Sequence, residues 1–254
     1  MPQFEMVEAR PGVRIALDIR RPRNMKFPHP GFLWLGGFKS EMSGAKASYL
    51  ADRAGWGGRP FIRFDYSGHG VSEGRFEDGT ISLWLEEAHL ALAFAQDWPM
   101  IVIGSSMGAN LALLLAKRRI GSIKGLVLVA PAVDMTEALM APQIAADEEA
   151  RRAIARDGVW MRPSRYGDPY PITAKLIEDG RKHLILPQGL DVDCPVRILH
   201  GDEDRDVPWE HGLAAYRAIR SADIQFTLIK GADHRLSRDS DMLAIYNAAE
   251  RLAL

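Results

Sequence analysis

Short apolar runs recur along this chain and are separated by stretches with helical periodicity. Residues 13–19 alternate apolar and polar side chains, which is typical of a strand with one buried face. The later runs are apolar almost throughout, as in strands buried on both faces of a parallel sheet. We predict buried strands at residues 31–35, 125–131 and 195–200, and further strands at 61–65, 100–103 and 224–229.

Amphipathic stretches lie between most of these runs. We predict helices at residues 45–54, 81–95, from 107 onward, at 208–220 and from 239 onward. Strands that alternate with helices indicate an α/β fold, here a mostly parallel, doubly wound sheet with helices on both faces. A chain of 254 residues is long enough to bury one large core, and we find no break in composition. The sequence therefore predicts one domain over residues 1–254.

Residues 132–193, which we call the lid, interrupt this alternation. The lid has helical stretches at 145–155 and 172–183 but no convincing apolar strand, so we expect a small helical lid. Its segment 160–170 is rich in aromatic residues, Pro and Arg. Such a segment is typical of a functional loop, or equally of a solvated loop anchored by Trp160. The candidates for substrate contact there are Trp160, Arg162, Arg165 and Tyr166.

The strongest chemical signal is Gly-Ser-Ser-Met-Gly at residues 104–108, between a predicted strand and a predicted helix. A Gly-x-Ser-x-Gly motif in this context places its serine on a sharp turn with the hydroxyl exposed, so we predict Ser106 as a nucleophile. The turn needs small neighbours, because bulk at Gly104 or Gly108 would collide with the strand and helix. The motif alone is common by chance, and an ordinary Gly/Ser loop is the alternative.

A serine hydroxyl needs a base, and the base needs an acid to orient it. Two loops that follow later strands supply both: residues 201–208 contain Asp202, Asp204 and Asp206, and residues 230–235 contain His234. The order Ser, Asp, His is the one expected for an α/β-hydrolase triad. Rival assignments remain for the acid, and Asp206 could instead cap the next helix. The rival bases are His69, in a Gly-flanked loop, and His200, which we interpret as a core histidine.

Acyl transfer also requires two hydrogen-bond donors directed at the oxyanion. We predict the backbone N–H of Met107, at the start of the helix after Ser106, as one donor. The second is expected from the loop after the strand 31–35, and Phe38 N–H is our choice. The alternative for Gly36 and Gly37 is simply a tight turn.

Composition excludes several other classes of function. The net charge of -1, from 32 basic and 33 acidic residues, provides no field that would attract nucleic acid. The single cysteine, Cys194, fits a reducing compartment and is interpreted as a small apolar spacer before Pro195. No signal peptide or bilayer-length apolar stretch is visible, so we expect a cytoplasmic protein without integral membrane contact. The chemistry needs neither a metal nor an organic cofactor.

With these motifs the chain resembles the α/β-hydrolase superfamily over nearly its full length. The likeness includes residues 64–72, which are similar to the Asp-x-x-Gly-x-Gly-x-Ser loop of the family, and Gly-x-x-Asp-x-x-Val-Pro at 201–208. The family spacing assigns the triad acid to Asp204, which leaves Asp233 as a neighbour of the base. Within the superfamily, segments 63–68, 158–166, 194–201 and 207–209 look like the abhydrolase-domain mitochondrial thioesterases. Two departures are Ala109, where those relatives have a second glycine, and the lack of a visible mitochondrial targeting segment.

The resemblance implies hydrolysis of carboxylic esters or thioesters through an acyl-enzyme on Ser106. Palmitoyl thioesters and acyl glucuronides are the substrates that the narrower likeness suggests. Two alternatives keep the triad: transfer of the acyl group to another acceptor, or cleavage of a carbon–carbon bond in a small metabolite. A third is a non-catalytic binding protein that uses the lid segment 160–170 to contact a partner.

Overall fold

An eight-stranded sheet forms the centre of the computed structural model, which describes residues 4–21, 29–96, 98–164 and 167–254. The strands are β1 (Glu5–Arg10), β2 (Val13–Arg20), β3 (Gly31–Leu35), β4 (Phe61–Phe64), β5 (Met100–Ser105), β6 (Ile123–Val129), β7 (Val159–Arg162), β8 (Tyr170–Thr173), β9 (Leu190–Asp191), β10 (Val196–Gly201), β11 (Ile219–Arg220) and β12 (Ile224–Ile229). The helices are α1 (Ala45–Trp56), α2 (Ile81–Ala93), α3 (Met107–Lys117), α4 (Ala141–Ala146), α5 (Glu148–Asp157), α6 (Ala174–Gly180), α7 (Trp209–Ala218) and α8 (Asp239–Leu252).

The central sheet has the strand order β1-β2-β4-β3-β5-β6-β10-β12. Strand β2 is antiparallel to both β1 and β4, and the pairs from β4 to β12 are parallel. The predicted mostly parallel sheet is therefore confirmed. The sequence analysis predicted no strand at β1, which forms a hairpin with β2 at the sheet edge.

Alternate residues of the central strands enter two separate apolar clusters, one on each face of the sheet. On β3, Leu33 belongs to the cluster that includes α2 and α3, whereas Phe32 belongs to the cluster that includes α1 and α8. Because both faces are covered, strands such as β3 and β5 are buried at every residue. This explains why they appear in the sequence as continuous apolar runs.

The lid is only partly helical, so the prediction of a helical lid without strands was incomplete. Strands β7 and β8 form an antiparallel hairpin with Val159 opposite Thr173. Each is only four residues long and contains polar residues or proline, so neither sequence has an apolar run. The predicted helix 172–183 begins later, at Ala174, because the Thr173 side chain accepts a hydrogen bond from Leu176 N and caps α6.

Two other predicted helices have different bounds. The stretch 145–155 is divided between α4 and α5 at Asp147, whose side chain accepts a hydrogen bond from Ala150 N. Helix α7 ends at Ala218, because Ile219 and Arg220 pair with β9 instead. Thus capping and short strand pairing, rather than apolar periodicity, determine these ends.

Candidate functional site

Ser106 lies at the turn between β5 and α3, with a backbone φ of 56° and ψ of -114°. The two motif glycines permit this turn. A Cβ at Gly104 would lie 2.3 Å from the carbonyl oxygen of Gly108, and a Cβ at Gly108 would lie 2.1 Å from that of Leu35. The prediction that both positions need small residues is therefore confirmed. The atoms that a side chain would meet belong to the backbone, which cannot move aside as a flexible side chain can.

The structure brings Ser106, His234 and Asp204 into one hydrogen-bonded chain. Ser106 Oγ lies 3.1 Å from His234 Nε2, and His234 Nδ1 lies 2.7 Å from Asp204 Oδ2. With the imidazole neutral, Nδ1–H donates to the carboxylate and Nε2 accepts from the serine hydroxyl. This is the arrangement in which a histidine can remove the serine proton.

The loops that carry the acid and the histidine are joined at the carboxyl ends of β10 and β12. Gly201 allows close approach, because a Cβ there would lie 2.1 Å from the carbonyl oxygen of Ala232. Glu203 N donates to that same oxygen at 3.0 Å. Active sites of open α/β sheets lie at this edge.

Both carboxylate oxygens of Asp204 accept hydrogen bonds. Its Oδ1 accepts backbone hydrogen bonds from Asp206 N at 2.9 Å and Val207 N at 2.8 Å. Burial raises the pKa of this carboxyl, but hydrogen bonds from His200 and His234 outweigh burial and hold the pKa well below its ordinary value. The acid is thus ionised wherever the histidine can act as a base.

The other candidate acids have different contacts. Asp202 accepts hydrogen bonds from Lys230 Nζ at 2.7 Å and from Gly231 N. Asp206 does not occupy the N-cap position of α7, which is Pro208. Among the three aspartates, the geometry favours Asp204 as the partner of His234.

Neither rival histidine lies against Ser106. His69 Nδ1 donates to Ser67 O at 3.2 Å, and its Nε2 accepts from Lys39 N at 3.1 Å. Burial lowers the pKa of His69 to about 4, with a smaller contribution from the charge of Lys39, so this ring is neutral near pH 7. His200 is fully buried beneath Asp204.

The predicted oxyanion donors belong to two segments near Ser106. Met107 is the first residue of α3, so its N–H is one of the unpaired donors at a helix start. A Cβ on Gly37 would lie 3.4 Å from Ser106 Cβ, so the loop that carries Phe38 passes close to Ser106, and both residues line the same cavity. The next amide, Lys39 N, is committed to His69. The Phe38 ring packs against Phe76, Trp84 and Tyr170, with centroids 4.9, 5.9 and 6.1 Å away.

A cavity of about 580 Å³ opens above Ser106 and His234. Lid residues Met135, Leu139 and Met140 supply apolar lining, and Arg162 reaches it from β7. Trp160, predicted as a substrate contact, is not among the described residues that line this cavity. Its side chain is buried in the core instead. Arg165 and Tyr166 lie outside the described residues.

Two residues contact the site in ways that the sequence did not predict. His200 Nε2 lies 3.1 Å from Asp204 Oδ2, so the histidine interpreted as a core residue contacts the candidate acid. Lys46, at the start of α1, lines the cavity, and its Nζ donates to the carbonyl oxygen of Arg235. Burial lowers the pKa of Lys46 to about 8, assisted by the charge of Arg235. Neither contact could be found from spacing, because both depend on how distant loops fold together.

Within the described ranges, we find no cluster of His, Cys, Asp and Glu side chains arranged to hold a metal ion. A membrane-crossing helix is likewise missing among the helices described, none of which combines the necessary length and apolarity.

Comparison with known families places this geometry in context. Residues 39–175, more than half of the chain, match the hydrolase family described as serine aminopeptidase, S33. The bovine mitochondrial palmitoyl-protein thioesterase ABHD10 is 33% identical over 229 residues, which cover 88% of this chain and 73% of that protein. The monoacylglycerol lipase of Mycolicibacterium smegmatis is 25% identical over 254 residues, covering 91% and 89% of the two chains.

Solved structures agree with this likeness. The mouse α/β hydrolase domain-containing protein 10 superposes with a TM-score of 0.83 at 30% identity, over 98% of each chain. An Agrobacterium vitis protein described only as a hydrolase has a TM-score of 0.90 at 37% identity, over 99% of this chain and 98% of that one. The similarity spans sheet and lid alike.

Proposed function

Since the chain belongs to the α/β-hydrolase superfamily, as an ester- or thioester-cleaving hydrolase related to ABHD10, we propose that Ser106, His234 and Asp204 are its catalytic triad. The observation that carries the proposal is the continuous chain of hydrogen bonds from Ser106 Oγ through His234 to Asp204. This geometry suits the tautomer that the reaction needs, in which Nδ1–H donates to Asp204 and Nε2 can accept a proton from Ser106.

The first half of the reaction forms an acyl-enzyme. His234 Nε2 takes the proton of Ser106 as Oγ attacks the carbonyl carbon of the ester or thioester. Asp204 stabilises the imidazolium that results, and it remains ionised while doing so. Collapse of the tetrahedral intermediate breaks the bond to the alcohol or thiol, and His234 returns the proton to that leaving group.

The Met107 and Phe38 amides stabilise the oxyanion in both halves of the reaction. Met107 N–H lies at the start of α3, where the helix dipole also favours negative charge. The aromatic contacts of the Phe38 ring fix the loop that presents its amide. Fixed donors of this kind stabilise the transition state without reorganising during the reaction. In the second half, water deprotonated by His234 attacks the acyl-enzyme and releases the acid.

The cavity supports an acylated substrate with an apolar acyl group. Methionine and leucine side chains of the lid line one wall, and methionine adapts to chains of different shape. The name of the bovine relative makes an S-palmitoyl thioester one candidate substrate. The proposal also includes acyl glucuronides and other esters that have a small-molecule leaving group, because Ser106 would attack the carbonyl carbon of each in the same way.

A cytoplasmic location is part of this proposal, supported by the single cysteine of the chain. The bovine relative is named as mitochondrial, which makes the mitochondrion the competing location. Fractionation of cells that express the full chain distinguishes the two.

The test is hydrolysis of p-nitrophenyl esters and acyl thioesters, from acetyl to palmitoyl, together with an acyl glucuronide. We expect Ser106→Ala to lower kcat/KM by more than about a thousandfold, because the nucleophile is lost. Ser122→Ala is the matched control, since Ser122 directly precedes β6 and so lies at the amino ends of the parallel strands, away from the candidate site. Circular dichroism checks that both variants fold.

Three other outcomes would change the proposal. Undiminished hydrolysis by folded Ser106→Ala would overturn the assignment of the nucleophile. Products that incorporate an added alcohol or thiol would indicate acyl transfer instead of hydrolysis. Fluorophosphonate labelling of Ser106 without turnover of any panel member would rule out these substrate classes while retaining a reactive serine.

A further inference from the structure

Two histidines contact the same carboxylate oxygen at the candidate triad. Asp204 Oδ2 lies 2.7 Å from His234 Nδ1 and 3.1 Å from His200 Nε2. The side chains of His200 and Asp204 are both fully buried. A triad requires only one of these contacts, so the second histidine needs an explanation.

The surroundings of His200 determine which nitrogen carries its proton. Nε2 faces two acceptors, Asp204 Oδ2 and Val207 O, the latter at 2.9 Å, so Nε2–H is the donor. Nδ1 is buried and has no hydrogen-bond partner among the described residues. It faces Gly212 of α7, where an added Cβ would lie only 2.2 Å from it. The ring is therefore held between the acid and a glycine that makes room for it.

We infer that His200 is a positioning residue that orients the Asp204 carboxylate and weakens its attraction for the proton on His234. The inference rests on the proposed function. It assigns to His200 a control over the pH at which His234 becomes a base, exerted entirely through Asp204. His200 is fully buried and has no access to substrate.

His200 and His234 compete for one oxygen of Asp204. A donor on Oδ2 stabilises the carboxylate charge, so less of that charge remains to stabilise the His234 imidazolium. Removal of the donor makes Asp204 more basic, and the imidazolium form of His234 then persists to higher pH. The same donor fixes the carboxylate rotamer together with the two backbone bonds on Oδ1.

Other charged or titratable groups near this pair must remain unchanged in the test. His211 of α7 interacts electrostatically with His200 and Asp134, and its Nε2 lies 2.8 Å from Val133 O. Asp206 contributes its backbone N–H to Asp204. None of these groups is altered in the variants below.

A matched pair of substitutions separates the donor from the volume it fills. His200→Leu removes the donor, whereas His200→Gln can place an amide N–H near the position of Nε2. We expect His200→Leu to lower kcat/KM at pH 7 by about tenfold and to raise the pKa of its acid limb by about half a unit. For His200→Gln we expect values closer to those of the unmodified protein on both measures.

Gly212→Ala tests the same contact from the other side, without changing His200. The new methyl group must displace the ring, so we expect the acid limb to move in the same direction as in His200→Leu. Gly55→Ala in α1 is the control, because a Cβ there has no atom within 4 Å. Replacing glycine by alanine favours a helix in both cases, so the steric contact at Gly212 is the difference.

The measurement is the pH profile of kcat/KM on the best substrate of the panel, with Ser106→Ala as the blank. Turnover that does not depend on Ser106 would refute the proposed function itself. Turnover that depends on Ser106, with an acid limb unmoved in His200→Leu and Gly212→Ala, would refute only the role of His200. Equal impairment of the Gln and Leu variants would also refute it, by showing that volume matters instead of the donor. Should the Leu variant not fold, an unmoved acid limb in Gly212→Ala would by itself refute the role of His200.

Discussion

At Ser106 a non-glycine residue adopts a left-handed φ of 56°. A backbone conformation of this kind costs about 1–3 kcal/mol, and it persists only where the surrounding structure enforces it. Here Ser106 N donates to Val129 O at 2.9 Å, and the two motif glycines fit directly against neighbouring backbone. The two motif glycines and the backbone of β6 therefore hold Ser106 in the conformation that directs its hydroxyl toward His234.

His69 shows how a buried neutral histidine makes stability depend on pH. Its pKa is lowered to about 4 in the fold, chiefly by burial, whereas an unfolded histidine titrates near its ordinary value of 6.5. Between these values the unfolded chain binds more protons, so stability falls as the pH falls from about 6.5 to about 4. Between pH 7 and pH 5 the loss from this group is about 2 kcal/mol.

We expect His69→Gln to lose part of this pH dependence, because glutamine does not titrate and can still accept the hydrogen bond from Lys39 N. Urea unfolding at pH 7 and pH 5 measures the effect. His183 and His211, whose pKa values burial also lowers, contribute with the same sign in both proteins. His89→Gln, at an exposed position on α2, is the control. Equal pH dependence in His69→Gln and the unmodified protein would contradict the prediction.

At the scale of elements, sequence and structure agree where a local pattern determines the outcome. The strand β5 and helix α3 have continuous apolar residues and a glycine motif between them, so the position of Ser106 could be predicted. The hairpin of β7 and β8 could not, because its two short strands are stabilised by each other and by Trp160 and Ile172 in the core. The contact of His200 with Asp204 also escaped prediction, since it requires the loop after β10 to fold back over the strand.

One buried carboxylate, that of Asp134, joins the two ends of the lid next to α3. Asp134 accepts hydrogen bonds from Ile185 N at 2.9 Å and from Leu186 N at 2.8 Å, and its own N–H donates to Asn110 Oδ1 on α3. Burial raises the pKa of Asp134, and only these amides and more distant cations oppose that shift. Helix α3 and the far end of the lid therefore meet at this residue.

We expect Asp134→Asn to destabilise the protein by about 1–3 kcal/mol, because an amide group would face two backbone N–H donors with only one oxygen. Asparagine tolerates the left-handed backbone of Asp134, whose φ is 54°, so the carboxylate is the only loss. Limited proteolysis should cut the lid of this variant faster. Asp147→Asn is the control, since asparagine caps α5 as well as aspartate does. Equal cleavage rates in the two variants would exclude Asp134 as the anchor.

At the scale of the whole molecule, the two apolar clusters raise the question of whether lid and sheet unfold together. Trp160, Ile172 and Ile185 of the lid belong to the same buried cluster as Leu33 of the sheet. Ile103 of β5 belongs to the cluster on the opposite face. Because β3 and β5 are hydrogen-bonded neighbours, neither face can lose its strands while the other remains folded. The chain should thus unfold as one domain, as its composition predicts.

Leu33→Ala and Ile103→Ala test this at the two faces. Both side chains are fully buried, so each substitution should cost about 2–5 kcal/mol. Urea unfolding should show a single transition in each variant, with tryptophan fluorescence and far-ultraviolet circular dichroism coincident. Two transitions, with an early fluorescence change that is lost in the variant Trp160→Phe, would instead define the lid as a separate unit, because Trp160 is the one tryptophan in the lid sequence. In that case the apolar wall of the cavity could open while the triad stays assembled, and acyl-chain selectivity would depend on lid stability.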